Sequence, residues 1–234
     1  MTLILGIDDA GRGPVIGPMV LGGCLIEENL QEEFRKAGVK DSKQLTQKKR
    51  EELSKLIKQK SVAYEILISY PEEIDNVING KDGNISNINK LEAAKSAEII
   101  NKLVKNAKGE PVRIVIDCPS PNRKSWQDYL MEYLLKLNKH IKNILISCEH
   151  KADVNHIAVA AGSILAKCKR EEEVAKIKKK IGKDFGSGYS SDPITRKFLE
   201  EHYNTFKEEG IFRHTWGTVK KHKSKKSQKS LGEF

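Results

Sequence analysis

Apolar positions change period several times along this chain, and each change marks an element. Leu3 to Asp8 and Met19 to Glu27 read as strands, with Gly17-Pro18 turning between them. Leu45, Leu53, Leu56 and Ile57 recur at helical spacing among charges and predict a helix over Ser42 to Lys60. Ser61 to Ser69 alternates and is β-branched enough for a third strand. Pro71 opens a short helix that Gly80 ends. Asn87 to Lys105 reads as a longer helix with Ile88, Leu91, Ala94, Ile99, Ile100 and Leu103 on its apolar face. Val112 to Asp117 is nearly continuous in apolar residues, as a strand covered on both faces should be. Ser125 to Lys139 is expected to be a helix, Ile141 to Ser147 another buried strand, and Val154 to Lys180 a helix that Gly162 weakens. Asp192-Pro193, a cap followed by proline at the first helical position, starts a last helix to about Phe206.

Strands come first, then strand–helix–strand, then helices. That order predicts an α/β fold: a mixed sheet whose later strands are parallel, flanked by helices, with a helical region at the end. Ligands in such sheets gather beyond the carboxyl ends of the strands. Asp8, Asp9 and Asp117 all stand at such ends. A chain of 234 residues can fill one core with a smaller appended lobe. Its longest strongly apolar stretch, Ile157 to Ala166, is far too short to cross a bilayer, and Met1 to Leu5 lacks the features of a secretory leader. Cys24, Cys118, Cys148 and Cys168 are scattered without metal-ligand spacing, which suits buried thiols in a reducing cytoplasm.

The chemistry concentrates in Gly6-Ile7-Asp8-Asp9-Ala10-Gly11-Arg12-Gly13-Pro14. Adjacent carboxylates bind divalent cations, while bare glycine backbone and a guanidinium suit a phosphate or sugar. Gly11, Gly13 and Gly17 loosely imitate a dinucleotide fingerprint, but Pro14 and Pro18 intervene and a strand follows where a helix is needed. Asp117 taken alone could begin a turn, and Asp153 could cap the helix behind it. As a set, acids ending elements of one sheet repel each other, and burial is costly unless cations neutralise them. Oxygen ligands without His or Cys point to Mg²⁺ or Mn²⁺, and two such ions about 4 Å apart can drive phosphodiester hydrolysis. His150 is a minor candidate for proton traffic beside Asp153.

Net charge is +10, and half of it lies in residues 205–234, where eight Lys/Arg face three Glu. A polyanion partner and a solubilising tail explain that excess equally well.

Five ordered blocks resemble the motifs of the type 2 ribonuclease H family, most closely the archaeal form of ribonuclease HII. They are residues 6–14, Asp41-Ser42-Lys43-Gln44-Leu45, Ile116-Asp117, His150-Lys151-Ala152-Asp153, and Gly186-Ser187-Gly188-Tyr189-Ser190-Ser191-Asp192-Pro193. The resemblance covers about residues 3 to 219. Asp153 stands where the related ribonuclease HIII usually has Glu, and that form's N-terminal extension is not expected here. The resemblance implies a ribonuclease H-like, five-stranded mixed sheet as a catalytic domain over 1–190, a helical region over 191–219 and a basic tail over 220–234.

The family resemblance also implies endonucleolytic cleavage of RNA in RNA–DNA hybrids and of the junction 5′ of ribonucleotides embedded in duplex DNA, leaving 3′-hydroxyl and 5′-phosphate ends. Carried over, Asp8, Asp9, Asp117 and Asp153 are the metal ligands. Gly11, Arg12 and Gly13 contact the 2′-hydroxyl and backbone, Lys43 a phosphate, and Tyr189 the following sugar. Only a partner for the 2′-hydroxyl tells ribose from deoxyribose. One position departs: the family normally has Glu where this chain has Asp9. Asp is one methylene shorter, about 1.5 Å of reach, so the expectation is a working site with a stronger preference for Mn²⁺.

The chain ends Gln228-Lys229-Ser230-Leu231-Gly232-Glu233-Phe234. Gln228, Leu231 and Phe234 fall on one side of a helical turn and resemble peptides that dock on the sliding clamp. The plain alternative is a terminal segment that happens to hold Leu and Phe. Competing functional readings are a non-catalytic hybrid binder that lost turnover through Asp9 and another nuclease of the same fold. Nothing in the sequence demands more than a monomer.

Overall fold

The computed structural model describes residues 2–81, 83 and 85–222. The described residues divide into two compact units, one within 1–10, 20–68 and 88–170, the other within 11–19, 69–87 and 171–234.

The first unit holds a five-stranded sheet in the order β3-β2-β1-β4-β5. Strand β1 (Leu3–Ala10) pairs antiparallel with β2 (Met19–Glu27) and parallel with β4 (Val112–Asp117), which pairs parallel with β5 (Ile144–Glu149); β3 (Ala63–Ser69) lies at the far edge. This is the mixed sheet with parallel later strands expected from the element order. Parallel pairing brings the ends of β1, β4 and β5 to one side, and Ile7 stands level with Ile116, Asp117 with Glu149.

Helices flank the sheet. They are α1 (Leu30–Ala37), α2 (Gln47–Lys60), α4 (Ile88–Leu103), α5 (Arg123–Leu137), the single turn α6 (Ala152–Asn155) and α7 (Ile157–Ile181), whose residues after 170 belong to the second unit. Between α2 and α4 the chain passes through α3 (Pro71–Ile78) of the second unit. One core joins Ile4, Cys24 and Ile26 of the sheet to Phe34, Leu53 and Ile57 of α1 and α2 and to Ala158, Ala161, Ile164 and Leu165 of α7. Gly162 marks close approach rather than weakness: a Cβ there would stand 2.7 Å from the Gly22 carbonyl oxygen, so only glycine lets α7 lie this near the sheet.

Several boundaries moved. The helix expected from Ser42 starts as a 3₁₀ turn, Ser42–Gln44, because Asp41 accepts the Lys43 N–H; Thr46 then caps α2 by accepting the Lys49 N–H. Helix α1 was not foreseen, because four of its eight residues are charged and only Phe34 is buried. Its stop signal, Gly38 at φ 96°, was readable. The helix expected from Val154 is split into α6 and α7 at His156.

The second unit is an aromatic-rich cluster. Phe198, Leu199 and Tyr203 of α8 (Pro193–Phe206) pack with Val15, Ile16, Phe185, Ile211 and Phe212. Asp192 caps α8 by accepting the Ile194 N–H, with Pro193 at the first helical position, as expected. All described cysteines are free thiols, and burial pushes Cys24 and Cys148 up to about 12, which suits inert core residues. Among the described residues no helix is long and apolar enough to cross a membrane.

Candidate active site

Each acid of the first unit owes its place to a different device. Asp8 lies in the buried part of β1 and is only 6% exposed. Its Oδ1 accepts the Asp9 N–H at 2.7 Å. Asp117 closes β4, and its Oδ1 accepts the Ala152 N–H at 2.7 Å. The turn that delivers this N–H needs Lys151 in the left-handed region, φ 56°, which is uncommon for a residue with a side chain. Asp117 therefore receives its hydrogen bond from the first residue of α6, just beyond the neighbouring strand β5, rather than from its own loop. Asp153 sits inside α6, not at its cap, and is 4% exposed. Lys43, largely exposed, places Nζ 3.9 Å from Asp153 Oδ2. His150 donates from Nδ1 to the Cys118 carbonyl at 3.0 Å, so its ring is tied to the β4 loop.

These acids act on one another electrostatically. Burial pushes the Asp8 carboxyl well above the usual range; the Asp9 charge adds to it, a hydrogen bond from Ser163 opposes it, and Asp117 adds again. Asp117 is raised too, first by burial and then by Asp153, while the Ala152 N–H, Lys43 and His150 favour its charged form. Among the described residues no group of three or more His, Cys, Asp or Glu stands close enough together to hold a metal ion. The donor chemistry nonetheless fits a hard divalent cation, for Asp8 and Asp117 are carboxylates whose ionised forms burial and neighbouring acids disfavour. Glu92, on α4, joins them: it is 1% exposed and lines a small cavity with Asp8, Asp9, Asp117 and Trp126. Sequence reading passed over it, although a Glu beside Leu91, Ala93 and Ala94 on an inward helix face was a signal.

The second unit holds the Gly-Arg-Gly turn and Tyr189. Gly11 adopts φ 82°, open to glycine at little cost. A Cβ on Gly13 would lie 3.5 Å from the Tyr189 ring, so loop and ring are in contact. Both sit on a frame that the sequence did not reveal. Arg213, fully buried, donates from Nη2 to the Gly11 carbonyl at 2.5 Å, from Nη1 to that of Arg12 at 2.6 Å and from Nε to that of Gly17 at 3.0 Å. Trp216 donates from Nε1 to the Gly13 carbonyl at 3.2 Å, and its ring lies under the Arg213 guanidinium at 4.9 Å. Val15 and Ile16 donate their N–H groups to the Gly188 carbonyl, which couples this turn to the Tyr189 loop. Each carbonyl from Gly11 to Gly13 thus faces the frame.

Gln228, Leu231 and Phe234 lie outside the described residues.

Residues 5–219 match the family profile of ribonuclease HII. The chain belongs to the ribonuclease HII family. It is 43% identical to ribonuclease HII of Pyrococcus furiosus over 98% of this chain and 96% of that one. The crystal structure of ribonuclease H2 from Pyrococcus horikoshii is similar with a TM-score of 0.80 at 37% identity, covering 95% of this chain and 98% of that one. The ribonuclease HII in a PCNA complex from Archaeoglobus fulgidus has a TM-score of 0.72 at 38% identity, over 86% and 87%. Membership makes the protein a metal-dependent endoribonuclease acting on RNA–DNA hybrids.

Proposed function

We propose that Asp8, Asp9, Asp117 and Asp153 hold two divalent cations, Mg²⁺ or Mn²⁺, and that the chain also cuts 5′ of single ribonucleotides embedded in duplex DNA. The observation that carries this reading is the Asp8 carboxyl, whose ionised form is disfavoured first by its burial and then by the charges of Asp9 and Asp117. Bound cations of this class polarise a phosphoryl oxygen and lower the pKa of an attacking water. Hydrolysis breaks the bond between phosphorus and the 3′ oxygen, so the ends are a 3′-hydroxyl and a 5′-phosphate.

The chain's own residues then have separate tasks. Asp8 and Asp117 each spend an oxygen on a backbone N–H, which fixes their carboxylate planes. Lys43, paired with Asp153, reaches a backbone phosphate from its exposed position. The Gly11–Gly13 turn, its carbonyls all turned to Arg213 and Trp216, offers the 2′-hydroxyl its backbone N–H side. Tyr189, 39% exposed, stacks on the next sugar.

The test is cleavage of a duplex carrying one ribonucleotide, with Mg²⁺ or Mn²⁺ against a chelator. Wild type should cut only with metal, and Asp117→Asn should lose about a thousandfold in rate. An Asp9→Asn variant that cuts at the wild-type rate removes Asp9 from the ligand set.

The C-terminal peptide docks on a sliding clamp in this reading. It is supported by the Gln228, Leu231 and Phe234 spacing and by the PCNA complex of the Archaeoglobus relative. Removing residues 228–234 should abolish clamp binding and spare cleavage of short duplexes; a truncated chain that still binds ends the proposal.

A further inference from the structure

Two serines of the first unit are completely buried. Ser42 opens the 3₁₀ turn before α2, and Ser163 faces it from α7, with their Oγ atoms 2.8 Å apart. Ser163 also stands beside the Asp8 side chain, where its hydroxyl favours the ionised carboxylate. On the other side, Lys167, one helical turn beyond Ser163, donates from Nζ to Ser42 Oγ. Arg50 holds the Ser42 end in place by donating from Nη1 to the carbonyls of Ser42 and Leu45. The result is a run of polar side chains from Lys167 through two hydrogen-bonded hydroxyls to the neighbourhood of Asp8.

With Asp8 ionised, the form that binding a cation requires, and Lys167 charged, its direction is set from both ends. An ionised carboxylate only accepts, so the single Ser163 proton goes to Asp8, and the contact between the serines then requires Ser42 to donate to Ser163. An ammonium only donates, so Ser42 accepts from Lys167. Every O–H dipole therefore points at the Asp8 carboxylate, and the head of the run is a cation. Buried hydroxyls are costly without partners, and here each has both a donor and an acceptor.

We propose that Lys167 is a positioning residue for Asp8, acting through the buried hydroxyls of Ser42 and Ser163 to hold that carboxylate in the orientation that catalysis uses. Part of the Asp41-Ser42-Lys43 block thereby works inside the protein rather than on nucleic acid. The inference rests on the reading of Asp8 as a metal ligand. Outer partners of this kind cost about 10- to 100-fold in activity or metal affinity when removed.

The test uses the full chain, Mn²⁺ and the single-ribonucleotide duplex. Lys167→Met, Ser42→Ala and Ser163→Ala should each lower kcat by about 10- to 100-fold with KM for the duplex unchanged. Ser163→Ala, which alters no charge, should also bind Mn²⁺ several-fold more weakly by calorimetry. The Lys167→Met/Ser163→Ala double variant should be no worse than the poorer single one, since both break the same run. Lys167→Arg, which keeps the donors, should recover most of the loss. Additive losses overturn the inference, as does a raised KM with a reduced salt dependence, which would make Lys167 a phosphate contact. If Ser163→Ala fails to fold, Ser42→Ala completes the same cycle with Lys167→Met. Full activity of Lys167→Met alongside a dead Asp8→Asn defeats this inference alone; full activity of Asp8→Asn defeats the metal-ligand reading beneath it.

Discussion

The acidic end of the sheet and the Arg213 frame handle buried charge in opposite ways. In the first unit the burial of Asp8, with the charges of Asp9 and Asp117 beside it, disfavours its ionised form as it stands. In the second unit the guanidinium of Arg213 is as deeply buried, yet its donors reach three backbone carbonyls and its face rests on Trp216. One region is left electrostatically incomplete and the other is closed. The difference separates two jobs: binding cations requires unneutralised charge, while presenting a turn in one shape requires that nothing about it be left to chance.

The comparison breaks most visibly at Asp8. Asp8→Asn should lower the cleavage rate by about a thousandfold and at the same time raise the melting temperature at pH 7 without divalent metal. The pH dependence has a definite sign. The Asp8 pKa is raised in the fold, so between the unfolded value, about 4, and the folded one the native state holds a proton that the unfolded chain has lost. Metal-free wild type should therefore gain stability as pH falls toward about 4, and thermal melts of Asp8→Asn should show a smaller gain.

Arg213→Met tests the closed region and should do the reverse. Carbonyls of Gly11, Arg12 and Gly17 lose their donors together, at about 1–3 kcal/mol for each that stays buried. Urea unfolding should show a loss of about 3–5 kcal/mol, and KM for the ribonucleotide duplex should rise more than kcat falls. Wild-type stability in this variant would mean that the frame is not what shapes the turn. The smallest effect is expected at Lys43, whose pairing with Asp153 is long and exposed. Lys43→Ala should weaken duplex binding a few-fold and reduce the slope of log affinity against log salt by about one, measured by fluorescence anisotropy.

Particular residues show why some of this was legible and some was not. β4 was placed to the residue, because an unbroken apolar run closing on Asp117 has few other readings. α8 was equally plain, since Asp192-Pro193 is a local start signal. The β5 boundary shifted to Ile144–Glu149 because only pairing with β4 fixes where that strand begins and ends. Glu92, Lys167 and Arg213 were missed together. A charged residue is assigned to solvent by default, and its burial depends on partners tens to hundreds of positions away, as with the 202 residues between Arg213 and Gly11.

What the chain's order of residues determined unaided was the mixed sheet, the acids at its strand ends and the ordered blocks of a nuclease family, because each is written in periodicity or in contiguous motifs. What only tertiary structure decided was which charges are buried and how they are met: Asp117 receiving an N–H from α6, two hydroxyls joining Lys167 to Asp8, and Arg213 gripping the glycine turn. Those contacts arise from close packing between distant segments, and no local pattern encodes the distance across which a hydrogen bond will close.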